Sequence, residues 1–146
     1  MATGTREEIR IGQLVIRFLL EGEASGGSVA VFEFDVPARA RVPIAHSHDG
    51  YEETIYGLEG VLAWTVDGRQ IDVGPGQALC IRRGAVHRFD NPHGVNAKSL
   101  AIVSPGILSP NYFREMAAVV KAAVGGPPDP AALAQVMRRH GLTPAP

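Results

Sequence analysis

Apolar and polar residues alternate along the first two-thirds of the chain, and the alternation stops near residue 104. In "SVAVFEFDV", Ala30, Phe32, Phe34 and Val36 fall on one face of an extended strand, with Glu33 and Asp35 on the other. Successive side chains of a strand point to opposite sides, so this run reads as a half-buried strand. "GQLVIRFLL", "ETIYGL", "VLAWTV", "RQIDV", "QALCI" and "KSLAIV" are further short runs rich in β-formers, set apart by glycine, proline and aspartate. Between "VLAWTV" and "RQIDV" stands Asp67-Gly68, the strongest hairpin signal in the chain. Both residues tolerate the positive φ of a two-residue type I′ turn. "VGPGQ", at 73–77, marks another turn. Many short strands at close spacing predict a sandwich or barrel.

After residue 104 the period changes. Ser109-Pro110 reads as a helix cap followed by a first-turn proline, and Tyr112, Phe113, Met116, Val119, Val120 and Ala123 then form one apolar stripe. "GGPPDP" breaks this helix. Asp129-Pro130 repeats the cap, "AALAQVMRRH" predicts a second helix, and Gly141 stands where it stops. Two such helices cannot bury a core of their own. The expected organisation is therefore a β-unit over 1–106 and a helical extension over 107–146, packed on the β-unit or on a partner subunit.

A length of 146 residues suits one domain, and 45% apolar with 20% charged residues suits a globular one. The net charge of −1 and the lack of a basic block argue against nucleic acid or an anionic membrane surface as partner. No apolar run approaches the roughly 18 residues of a membrane span, and "MATGTREEIRIG" does not read as a signal peptide. The single cysteine, Cys80, sits in "QALCI" and is expected to be a buried, inert thiol. Together these features predict a soluble, cytoplasmic protein.

Candidate chemistry gathers in "AHSHDGYEETIYGLEG", residues 45–60. On a strand, His46 and His48 project to the same face, and such a pair makes a two-pronged clamp for a metal. A transition metal needs further neutral imidazoles or carboxylates within about 2.0–2.2 Å of one point. Glu52 or Glu53 from the next strand offers the carboxylate, and His87 in "RRGAVHRFDN" offers a third imidazole if its strand lies alongside. His93, in a turn after Asn91-Pro92, and His140, at a helix end, are set aside. Phe34, Tyr56, Trp64 and Phe89 are the candidate walls of a substrate pocket.

These stretches resemble the two motifs of the cupin superfamily. The first, G-x5-H-x-H-x3or4-E-x6-G, is followed by Ala40, His46, His48, Glu53 and Gly60; the second, G-x5-P-x-G-x2-H-x3-N, by Gly76, Arg82, Gly84, His87 and Asn91. Ala40 and Arg82 depart from the pattern, at positions that are not ligands in the family. The spacing to Gly60 selects Glu53 over Glu52.

The resemblance implies an all-β, jelly-roll barrel (a double-stranded β-helix) with two C-terminal α-helices. It also implies one divalent transition metal (Fe, Mn, Ni, Co or Zn) held by His46, His48, Glu53 and His87. The helical tail is similar to that of some quercetin-dioxygenase-like cupins, so the expected activity is an oxygenase on a small phenolic or enolic compound. A metal-dependent isomerase or lyase on a sugar-derived substrate and a non-catalytic small-ligand binder are the alternatives. Dimers are common among proteins of this resemblance, and exposed sheet edges give a reason to pair, so a homodimer is expected.

Overall fold

The computed structural model describes residues 6–40, 42 and 44–146. Period-two runs become eleven strands among these residues, in two sheets. The larger sheet holds β1 (Ile9–Ile11), β2 (Leu14–Leu20), β3 (Ala30–Val36), β5 (Glu52–Glu59), β8 (Ala78–Ile81) and β10 (Ala97–Ser104), in the order β1-β2-β3-β10-β5-β8. The smaller holds β4 (His46–His48), β6 (Leu62–Val66), β7 (Arg69–Val73), β9 (His87–Asp90) and β11 (Leu142–Pro144), in the order β11-β4-β9-β6-β7. Every strand pairing is antiparallel. Chain neighbours such as β4 and β5 lie in opposite sheets, the crossing expected of a jelly roll.

In β3 the inward set is Ala30, Phe32, Phe34 and Val36, all buried, as the alternation predicted. Trp64 of β6 stands beside Phe89 of β9 in register, and the rings of Phe34, Trp64 and Phe89 form one aromatic cluster between the sheets. The Asp67-Gly68 turn has φ of 47° and 80°, both positive as type I′ requires. Gly60 is constrained more tightly. Besides its φ of 65°, a Cβ there would come within 2.4 Å of the Asn96 carbonyl oxygen.

The run "GQLVIRFLL" is part of a hairpin in the structure. Gly12, with φ of 59°, turns β1 into β2. Cys80 is exposed, contrary to expectation. Leu79 and Ile81 take the inner face of β8, so the intervening thiol points outward at a sheet edge.

The tail forms α1 (Pro110–Ala122) and α2 (Pro130–Arg139). Asp129 caps α2 through a hydrogen bond from the Ala131 N–H at 3.0 Å, whereas Ser109 makes no side-chain cap for α1. Tyr112, Phe113 and Met116 of α1 and Leu133, Val136 and Met137 of α2 join the same apolar cluster as the strands. The two helices also meet through polar groups: Glu115 of α1 pairs with Arg139 and His140, each at 2.5 Å. No helix among the described residues is long and apolar enough to cross a membrane.

Candidate metal centre

The smaller sheet brings the histidines together. β4 and β9 are neighbours, and His46 is the register partner of His87. His48 follows His46 by two residues. The ligand-capable atoms of the three imidazoles all lie within 4.8 Å of one another, and the ring centroids are 4.4–5.1 Å apart. The backbone joins the two motifs as well, because the Gly84 N–H donates to the His48 carbonyl at 2.8 Å.

Each imidazole reaches this point in a distinct way. The Nδ1 of His46 donates to the Ile44 carbonyl (3.0 Å) and that of His87 to the Ala85 carbonyl (2.9 Å). A carbonyl only accepts, so these bonds fix the tautomer and leave each Nε2 with a free lone pair. His48 stacks on the Tyr51 ring at 4.4 Å. Desolvation, followed by the neighbouring His87, holds the His46 imidazole down to about 4, against the opposing Ile44 hydrogen bond. Desolvation and then the other two histidines hold His48 down to about 2, and burial also lowers His87. All three are neutral at physiological pH, the form a metal binds.

Glu53 comes from the other sheet. On β5, Glu53, Ile55 and Gly57 are buried while Glu52, Thr54, Tyr56 and Leu58 are not, so period two turns Glu53 inward and Glu52 outward. Its Oε1 lies 3.9 Å from His87 Nε2, and burial pushes its carboxyl up to about 7. It stands beside the tight histidine cluster, on the His87 side. Glu52 is engaged elsewhere, accepting from Arg83 Nε at 2.7 Å and Nη2 at 2.8 Å.

The donor set suits a cation. The Nε2 of His87 and Nδ1 of His48 are buried without a hydrogen-bond partner among the described residues. An orphaned buried nitrogen costs about 1–3 kcal/mol, and a cation shared by three neutral imidazoles satisfies the His87 lone pair without a proton.

Beside the histidines lies a cavity of about 100 Å³. Phe34, Trp64 and Phe89 line it. Tyr56 does not. It sits three residues from Glu53, hence on the opposite face of β5, and is 41% exposed. The lining residues not named as site or wall from the sequence are Ile11, Leu14, Ile16, Phe32 and Val42 in the first part of the chain and, in the tail, Leu108, Tyr112, Phe113, Met116, Met137 and Leu142. The helical stripe with Tyr112, Phe113 and Met116 was visible in the sequence, but nothing there said which surface it would cover. Asn91, at the end of the second motif, braces the barrel. Its Nδ2 donates to the carbonyls of Val36, Pro37 and Val95 at 2.9–3.1 Å, and its Oδ1 accepts from the His93 N–H.

Sheet order, motif positions and the histidine cluster define a jelly roll with a metal-type centre. Residues 32–103 match the family model described as "Cupin domain", and this stretch of the chain is a cupin domain. Over 118 residues it is 26% identical to quercetin 2,3-dioxygenase of Bacillus subtilis (strain 168), covering 80% of this chain and 34% of that protein. The chain thus spans about a third of that relative's length. Among solved structures it is similar to a predicted oxalate decarboxylase from Thermotoga maritima (22% identity, TM-score 0.63, 69% of this chain and 92% of that one). It is also similar to a sugar phosphate isomerase from Silicibacter pomeroyi (23% identity, TM-score 0.52, 61% and 59%). These two likenesses establish the fold.

Proposed function

We propose that this cupin is a metal-dependent oxygenase acting on a small, uncharged phenolic or enolic compound. The observation that carries the reading is the cavity wall: among the described residues lining it, no lysine or arginine is present. Apart from the metal itself, a phosphorylated sugar or a dicarboxylate would meet no cationic side chain among the described lining residues. A flat neutral ring meets aromatic faces instead, from Phe34, Trp64 and Phe89 on the strands and Tyr112 and Phe113 on α1. The 26% identity to a quercetin dioxygenase supports the same substrate class.

His46, His48 and His87 would hold one divalent metal (Fe, Mn, Ni, Co or Zn), with Glu53 as the carboxylate that offsets its charge. When bound, such a metal supplies Lewis acidity and, for the redox-active ions, one-electron chemistry. The protein's own share is to keep three imidazoles neutral and aimed, and to hold Glu53 where it can exchange a proton with a substrate hydroxyl. The mainly apolar wall would leave a bound substrate with few waters around it. In this reading the protein works in the cytoplasm as a homodimer, and sedimentation of the purified chain tests the stoichiometry.

The test is anaerobic reconstitution with each of the five metals, then oxygen uptake with a panel of phenolic and enolic compounds. Uptake matched to loss of the compound is expected with at least one metal. Turnover of a sugar-derived substrate without oxygen would replace the oxygenase with an isomerase or lyase. Tight binding of an unchanged compound would make the protein a binding module.

A further inference from the structure

The strand that carries the His-x-His pair is three residues long, and its two neighbours hold it unequally. On the inner side, β9 meets β4 through the single register pair His46–His87, and the Gly84 N–H bonds the His48 carbonyl. On the outer side, β11 covers all of β4, with Leu142 opposite His48, Thr143 opposite Ser47 and Pro144 opposite His46. The ladder continues past both ends of β4. The Ala145 N–H donates to the Ala45 carbonyl (2.8 Å), the Asp49 N–H to the Gly141 carbonyl (2.9 Å), and the Thr143 hydroxyl to Asp49 Oδ1 (2.7 Å).

β11 is anchored in turn. Leu142 is 1% exposed and lines the cavity, and Gly141 joins the strand directly to α2, whose Leu133, Val136 and Met137 are buried. The residues that aim two imidazoles are therefore framed by a segment about a hundred positions later in the chain. A short strand with one marginal partner does not fix its side chains within the roughly 0.5 Å that a metal site demands.

We propose that residues 141–145 are a positioning element of the metal centre, so that docking of this segment and metal binding at His46, His48 and His87 are coupled. The inference rests on the reading of those three histidines as metal ligands. Without the segment, β4 must lose its own backbone freedom when the ion binds, and affinity falls. Linkage makes the effect reciprocal: the ion must tighten the segment as much as the segment tightens the ion.

Co(II) alone, titrated into metal-free protein and followed by its visible absorption, measures the first half. The full chain is expected to take up one ion, and a chain ending at His140 to bind it at least about tenfold more weakly. Two gentler variants guard against misfolding of that truncation. Thr143→Val removes the hydroxyl clasp. Ala145→Pro removes one N–H at a site already flanked by prolines, which keeps the extended backbone. Both are expected to weaken Co(II) binding by a few-fold while circular dichroism stays unchanged. The second half is hydrogen exchange of the full chain with and without Zn(II), where the Asp49 and Ala145 amides should exchange more slowly with the ion present. Equal Co(II) affinity in the full chain and both point variants, or unchanged exchange of these amides in Zn(II)-loaded protein, overturns the coupling alone. Failure of the full chain to bind either ion overturns the metal centre, and the coupling with it.

Discussion

Strands and tail build one cavity from different materials. Among the described lining residues the strands supply the titratable groups apart from Tyr112: three histidines and Glu53, each placed by the two-residue period of its strand. The tail supplies bulk, through Leu108, Phe113, Met116, Met137 and Leu142. A strand pinned by ladder hydrogen bonds can hold an imidazole to a fraction of an ångström, whereas a helix packed by its apolar stripe mainly fills volume. The candidate metal ligands thus sit on the strands, while strands (Ile11, Leu14, Ile16 and Phe32 among them) and tail together shape the apolar space beside them.

That contrast is sharpest in metal binding. His87→Ala should abolish metal retention while leaving the chain folded, and elemental analysis beside circular dichroism checks both halves. Met137→Ala should do the opposite. It removes a side chain that is 2% exposed, so it should cost about 2–5 kcal/mol in denaturant unfolding yet keep the metal bound. A tail variant that lost metal while folding normally would blur the division, except within residues 141–145, where the coupling predicts it.

The acid response of the metal-free protein separates the regions next. The three histidines have folded values below 6.5, so the unfolded chain takes up their protons first and stability falls as pH drops below about 6.5. Glu53 acts in the reverse sense. Its folded value of about 7 exceeds the ordinary 4.5, so its protonation favours the folded state as pH falls between them. Three groups outweigh one, and the melting temperature of metal-free protein should fall from pH 6.5 to 5. His87→Ala should flatten the fall, and Met137→Ala should leave its slope unchanged. The smallest effect belongs to Tyr56→Thr on the outer face of β5, expected within about 0.5 kcal/mol in stability and with the ligand-bound protein unaffected.

Much of this was legible in the sequence, for identifiable reasons. Alternation in "SVAVFEFDV", the Asp67-Gly68 turn and the Asp129 cap are local signals, and local physics decided them. The two motifs brought His46, His48 and His87 onto the page as one group because each motif carries its own spacing. Tyr56 could have been excluded by the same arithmetic that chose Glu53, since residues three apart on a strand face opposite ways. Cys80 was misread because an apolar run at a sheet edge buries only alternate residues. β11 was out of reach. "LTPAP" has the prolines of a loop, and proline is admitted to a strand only at an edge, which is where β11 lies.

Asn91 carries a consequence for the lifetime of the protein. Its amide nitrogen serves three backbone carbonyls, so conversion to aspartate would set a negative charge against all three. Asparagine ages by ring closure onto the nitrogen of the following residue, and that residue here is Pro92, whose nitrogen has no hydrogen to give up. The brace that ties the end of β9 to the end of β3 is thus shielded from spontaneous deamidation by its neighbour in the chain.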